Sequence, residues 1–381
     1  MRIVIVGGGP AGLYLSLLLK RSGLGHSLQV VEQNAPDAAF GFGVVFSEDA
    51  LEFLKKDDPA IFNAITPELE RWSGIAIHHR GERVMLDGIG FTAVGRLHLI
   101  HLLQKQARDE SVDVTFNRPV TDLSEFTDAD LIVGADGVSS LVRRSDEAGF
   151  GTTLSYLTNR FAWFGTTKVF DTLSQTFLQT PAGPINAHHY RYSKTMSTFV
   201  VECSESTFFN SGFDRMSEDE AHAALERVFA QTLDGHPLIA NRGSIWRQFP
   251  IIHNERWSVG NRVILGDALH TAHFSIGSGT RLAMEDAIAL ARAIAEHPTD
   301  VPAALAAYQA QRKPILDKLV NAANASAEWY ENFGTHMALP PYDFAMSYLS
   351  RTGRMDIERI RKIAPEFTAA WEKHRTLPAS P

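Results

Sequence analysis

Three glycines and an acid open the chain with the spacing of a dinucleotide-binding turn: Gly7, Gly9 and Gly12 in Gly7-Gly8-Gly9-Pro10-Ala11-Gly12, then Glu32. Gly7 permits a tight turn, Gly9 lets backbone approach a pyrophosphate, and Gly12 lets a helix pack closely on a strand. Pro10 and Ala11 begin the helix, whose free amides and dipole attract phosphate. Glu32 can accept hydrogen bonds from ribose hydroxyls, which favours FAD or NAD over NADP. Gln33, Gly43 and Val44 are counted with this cofactor set.

A second glycine-acid turn lies more than two hundred residues downstream, where Arg262-Val263-Ile264-Leu265 leads into Gly266-Asp267. Asp267 can bond a polyol such as the ribityl chain of a flavin. The run Gly277-Ser278-Gly279-Thr280 opens a helix whose amides and dipole would stabilise negative charge at the pyrimidine end of a reduced isoalloxazine. A nicotinamide dehydrogenase needs no such second element, so the pair of turns points to FAD.

The elements that must carry these turns can be read from hydrophobic pattern. Ile3–Val6 is a continuous apolar run, as in a buried parallel strand, and Leu13–Leu19 form a helix that Gly23 stops. Strands are expected at Leu28–Glu32 and Asp130–Val133, with a helix over Arg96–Asp109. From about residue 152 the segments Phe161–Phe170, Gln175–Thr180 and Ser197–Cys203 concentrate Val, Thr and aromatics, the texture of antiparallel strands. Ser217–Leu233, Arg281–Glu296 and Pro302–Phe333 read as helices, and the last fifteen residues as a loose tail. The expected fold is α/β: a Rossmann-like FAD/NAD(P)-binding domain (residues 1–151 and 253–300), interrupted by a mostly antiparallel β substrate domain (152–252). C-terminal helices (301–381) follow.

Composition narrows the function classes. The net charge of −8 argues against a nucleic-acid surface. A single cysteine, Cys203, can form neither an internal disulfide nor a redox pair, which excludes disulfide-dependent flavin reductases. No apolar run is long enough for a membrane span and the start does not read as a signal peptide, so a cytoplasmic monomer or homodimer is expected.

Three motifs in order resemble the FAD-dependent aromatic hydroxylases of the para-hydroxybenzoate hydroxylase type: the opening glycines, Gly134-Ala135-Asp136-Gly137-Val138-Ser139-Ser140-Leu141-Val142-Arg143, and the turn at Asp267. The resemblance covers nearly the whole chain. It implies that Asp136 and Gly137 help bind FAD and the pyridine nucleotide, and that Arg96 contacts FAD. It also implies that NADH or NADPH reduces the flavin, that O2 adds at its C4a position, and that the resulting hydroperoxide hydroxylates an activated aromatic ring.

Within the family, Gly41–Ser47, Tyr192–Phe199, His273–Thr280, Met284–Ala287 and Asn324–Glu331 resemble the salicylyl-CoA and 2-aminobenzoyl-CoA monooxygenases, so a CoA thioester is a candidate substrate. The 2-aminobenzoyl-CoA enzymes carry a second flavin domain that this sequence does not encode, which favours simple hydroxylation. Some of these segments also resemble the indole-pathway hydroxylase of violacein biosynthesis. A flavin oxidase or reductase on the same scaffold is a further alternative.

The histidines supply candidate chemistry at the ring. His273 replaces a position often proline in the family and falls beside the expected flavin edge. His188 and His189 adjoin on a strand, so one of them enters the pocket. His273 and His189 are the candidate proton acceptors for a phenol or aniline. His270 and His273 have no clustered carboxylate or cysteine, so no metal is expected. The basic run Arg351, Arg354, Arg359, Arg361 and Lys362 is a candidate contact for CoA phosphates.

Overall fold

The computed structural model describes residues 1–38, 41–47, 51–240 and 246–376. Its first layer is a six-stranded sheet, in the order Ser258–Val259, Arg262–Ile264, Leu131–Gly134, Arg2–Val6, Ser27–Val31, Asp113–Thr115. All neighbours are parallel except the first pair. Ile3, Val4 and Ile5 are fully buried, as an apolar strand between two parallel neighbours must be.

Register explains why distant motifs meet. Val6 pairs with Gly134, and Gly134 pairs with Ile264. The three strands therefore end level, and Gly7, Ala135-Asp136 and Leu265-Gly266-Asp267 emerge side by side at one carboxyl edge. Ligands of open parallel sheets bind in the crevice at that edge.

The second layer is an eight-stranded sheet, ordered Leu238–Ala240, Thr152–Thr166, Ser197–Cys203, Gly183–Arg191, Leu173–Thr180, Ile75–His79, Glu82–Leu86, with Trp246–Asn254 paired along Thr152–Thr166. The last two strands on that path come from before residue 151, so this sheet extends beyond the insertion expected from the sequence. A hairpin at 75–86 carries alternating apolar residues, and its inner side (Ile75, Ile77, Val84, Leu86) needs cover. Trp329, Phe344, Tyr348, Ile360 and Phe367 from the C-terminal helices bury it. A smaller sheet joins Gly43–Ser47 and Glu70–Trp72 to Phe91–Gly95.

Helices Pro10–Arg21, Arg96–Asp109, Gly279–Glu296 and Val301–Glu331 follow the expected pattern closely. Ser217 caps Glu218–Val228 through a reciprocal capping box with Glu220, and a separate short helix, Ala230–Leu233, follows. The chain from Pro365 to Thr376 is helical where a loose tail was expected, because Phe367 is buried and Asp87 accepts from the amides of Glu366 and Phe367. Residues 377–381 of that tail lie outside the described residues. No described helix is long and apolar enough to cross a membrane.

Candidate active site

One cleft of about 890 Å³ runs along the carboxyl edge of the parallel sheet and continues beneath the second sheet. Fifteen of the predicted cofactor residues line it: Gly7, Gly9, Pro10, Ala11, Glu32, Gln33, Gly43, Val44, Arg96, Asp136, Gly137, Asp267, Gly277, Gly279 and Thr280. Gly12 and Gly266 do not. They act from behind.

Gly7 adopts φ +110°, and a Cβ there would collide with the Ala135 carbonyl. A Cβ on Gly12 would strike the Gly7 carbonyl oxygen. Only glycine lets the first helix come this close to its strand. Gly9, by contrast, has open space where a Cβ would be, and faces the cleft as the uncapped N-cap of Pro10–Arg21. Glu32 accepts from the Gly8 amide at 2.7 Å and from Asn34 N and Nδ2 at 2.8 and 2.7 Å, which fixes its carboxylate beside the turn.

Asp136 Oδ2 accepts from the amides of Leu141 and Val142 at 2.6 and 3.3 Å, while Oδ1 is buried with no partner. Burial raises its pKa against the pull of the Ser140 and backbone hydrogen bonds. Arg143 crosses from this turn to the other, donating to Val138 O at 2.6 Å and Ala268 O at 2.9 Å.

Asp267 opens its carboxylate onto the cleft. Its deep position raises the pKa, and Arg96 is the main opposing charge. Burial in turn lowers the Arg96 pKa, with Asp267 opposing. Behind Asp267 the turn is pinned by a residue not singled out from the sequence. Asp286, fully buried, accepts from Gly266 N at 3.1 Å, pairs with His270 at 2.8 Å, and takes Arg312 Nε at 2.8 Å. The helix Gly279–Glu296 then points its uncapped first turn at the same cleft.

Two helix N-termini, an orphaned carboxylate oxygen on Asp136, and the facing Arg96 and Asp267 are thus gathered around one elongated space. This donor set fits FAD. Amides and dipoles suit its pyrophosphate and ring carbonyls, and carboxylates suit its ribose and ribityl hydroxyls. Gly7 to Glu32 would hold the adenosine half, and Asp267 to Thr280 the ring half. The bound flavin supplies the redox and oxygen-transfer chemistry.

Beyond Asp267 the cleft becomes aromatic. Phe161, Trp163, Tyr190, Phe249 and Phe274 wall it, with Phe161 and Phe274 rings 5.0 Å apart. The histidine reading is corrected here. Strand alternation turns His188 inward, 5.3 Å from the Phe274 ring, where it lines the cleft. His189 faces the other side, between Phe170 and Phe199, bonded to Thr176 at 2.9 Å. His273 lies behind Phe274 rather than on the cleft wall, with Nδ1 2.8 Å from Ser275 Oγ. Burial lowers both His188 and His273 to about 3, so both are neutral imidazoles. Of the C-terminal cations, Arg351 bonds Ser326 and Ser275, Arg354 and Arg359 donate to the carbonyls of Lys318 and Arg354, and Arg361 pairs with Glu358 and Glu372.

The FAD binding domain family matches residues 1–121 and 82–323. The chain belongs to this family. It is 39% identical to the salicyloyl-CoA 5-hydroxylase of Streptomyces sp, over 92% of this chain and 70% of that protein. It is 35% identical to a 3-hydroxy-4-methyl-anthranilyl-(aryl-carrier protein) 5-monooxygenase of Streptosporangium sibiricum, over 87% and 89% of the two chains. To the protodeoxyviolaceinate monooxygenase of Chromobacterium violaceum it is 33% identical, over 92% and 94%. Its fold is shared with 2-methyl-3-hydroxypyridine-5-carboxylic acid oxygenase, at TM-score 0.68 and 18% identity over 97% of each chain. The chain is therefore an FAD-dependent aromatic monooxygenase, with NADH or NADPH as reductant.

Proposed function

We propose that this monooxygenase hydroxylates the ring of an aryl thioester, with salicyl-CoA or a near relative as substrate. The observation that carries this reading is the shape of the cleft: past Asp267 it becomes an aromatic pocket whose inner wall offers one imidazole, His188, and whose rim carries Arg247. That guanidinium has no ion pair among the described residues. Two of the relatives above are named for aryl groups held on CoA or on a carrier protein, which supports the thioester.

In this reading His188, neutral and without a hydrogen-bond partner among the described residues, binds the ring hydroxyl or amino group and orients the ring. Phe161, Phe249 and Phe274 exclude water, which protects oxygen transfer from wasteful decay. Arg247 at the rim complements the anionic tail. Asp267 and Arg96 hold the cofactor between the two ends. No protein nucleophile is required.

The test is NAD(P)H oxidation and product mass with salicyl-CoA, other aryl-CoA thioesters, and the free acids. The expected result is stimulation by a thioester with gain of one oxygen atom from O2. Equal turnover of free salicylate would remove the thioester from the reading. The relationship to protodeoxyviolaceinate monooxygenase favours an indole-derived substrate as the second reading, and an indole carboxylate belongs in the same panel.

A further inference from the structure

Glu202 does not line the cleft, yet the sheet sets it on the same face as Phe161, Val200 and His188, which do. It sits on Ser197–Cys203 opposite Phe161 on one neighbouring strand and Asn186 on the other. Val200, two residues away on the same face, pairs with His188. Glu202 is 2% exposed. Its Oε1 accepts from Asn159 Nδ2 at 2.9 Å and lies 3.9 Å from His273 Nε2, while Oε2 is buried with no partner.

The groups around it offer little to neutralise a negative charge. His273 is a neutral imidazole, and so is His188 on the adjacent strand. The long helix contributes Tyr330, whose carbonyl shares Asn159, and Glu331, a second carboxylate. Arg351 bonds Ser326 and the Ser275 carbonyl, and its charge bears on His273 and Tyr330 rather than directly on Glu202. Arg160 pairs with Glu205 and, with Cys203, belongs to the other face of the sheet. Burial, helped by Glu331 and opposed by the Asn159 hydrogen bond, pushes Glu202 up to about 8.

A hydrogen-bonded chain leads on from His273. His273 Nδ1 is 2.8 Å from Ser275 Oγ, which is 2.7 Å from Ser326 Oγ, and Arg351 Nε donates to Ser326 at 2.9 Å. Arg351 is half-buried there.

We propose that Glu202 is a positioning residue kept as a neutral acid beneath the pocket, so that an electron-rich ring can be held above it as its anion. The inference rests on the aromatic-substrate reading. Ionised Glu202 would place a second negative charge near the ring in a dry site, where repulsion is weakly screened. In alkali its proton is lost to hydroxide, which leaves one carboxylate and one water.

The experiment compares FAD-loaded wild type with Glu202→Gln, using salicyl-CoA as the probe, from about pH 6 to about pH 10. The wild-type kcat/KM should fall about tenfold per pH unit above the ionisation of Glu202. The Gln variant, uncharged throughout, should match it at neutral pH and lose that limb. Infrared titration of the same holoenzymes without substrate should show a protonated-carboxyl stretch that disappears in alkali and is missing from the variant. A titrating band without turnover of salicyl-CoA supports the neutral acid and counts against the substrate reading alone. An unchanged alkaline limb in Glu202→Gln, or no such band at neutral pH, overturns the proposal.

Discussion

His188 and His189 are consecutive, yet they serve opposite sides of one strand: the first lines the cleft, the second is clamped between Phe170 and Phe199. Substituting each in turn separates chemistry from packing. His188→Ala should retain FAD and stability but raise KM for the ring by roughly tenfold, the worth of one buried hydrogen bond. More NAD(P)H should be spent per product formed. His189→Ala should cost about 2–4 kcal/mol of stability through lost packing while leaving that ratio unchanged. Thermal melts and product stoichiometry on both variants decide. The same effect on coupling from both would contradict the assignment.

Gly12 makes no contact with the cleft, yet it governs the cofactor turn. Gly12→Ala places a methyl against the Gly7 carbonyl, and neither backbone can retreat without separating helix Pro10–Arg21 from the parallel sheet. The expected product is a protein purified without flavin and destabilised by about 1–3 kcal/mol or more. Absorbance in the flavin bands before and after FAD addition reads it directly. A fully yellow Gly12→Ala protein would mean the turn is looser than its geometry.

Asp267→Ala should weaken FAD binding by at least tenfold, since a carboxylate facing the cleft is lost and Arg96 keeps its charge without its partner. Asp267→Asn retains an oxygen acceptor but not the charge, and should fall between wild type and Ala. Fluorescence titration of the apoproteins with FAD gives the order. Equal affinity for all three proteins would remove Asp267 from the cofactor site.

Much of this site was legible because it depends on local patterns. A strand, a glycine turn and an acid must occur in register for a dinucleotide, so Gly7, Gly9, Gly12 and Glu32 declared themselves. The second turn at Asp267 did so for the same reason. What distance in sequence conceals is which face of a strand looks inward. The choice between His188 and His189 depends on the pairing of Gly183–Arg191 with both its neighbours, and one residue of register reverses it. Glu202 was hidden likewise, inside an apolar run that reads as plain core. The hairpin at 75–86 was missed as part of the large sheet because it pairs with a strand almost a hundred residues later. The helix Pro365–Thr376 was missed because its reason to form is tertiary: the hairpin it covers.

Asp286 provides the last test, because it supports the Gly266–Asp267 turn without facing the cleft. Burial pushes its pKa up, but His270 and Arg312 outweigh that and hold it below its ordinary value of 3.8. Asn at this position has one acceptor oxygen in place of two, so it cannot serve His270, Gly266 and Arg312 together, and Arg312 keeps a buried charge with less compensation. The expected loss is about 3–5 kcal/mol. A depressed carboxylate contributes stability that is complete above the unfolded pKa and is lost as pH falls through the folded one. Wild type should therefore lose this contribution only in acid, below about pH 3.8, while Asp286→Asn lacks it at every pH. Denaturant midpoints should converge as pH is lowered, and FAD affinity of the variant should drop at neutral pH although no group on the cleft wall has changed. A constant gap between the two proteins down to strongly acid pH would show that Asp286 is not ionised in the folded chain.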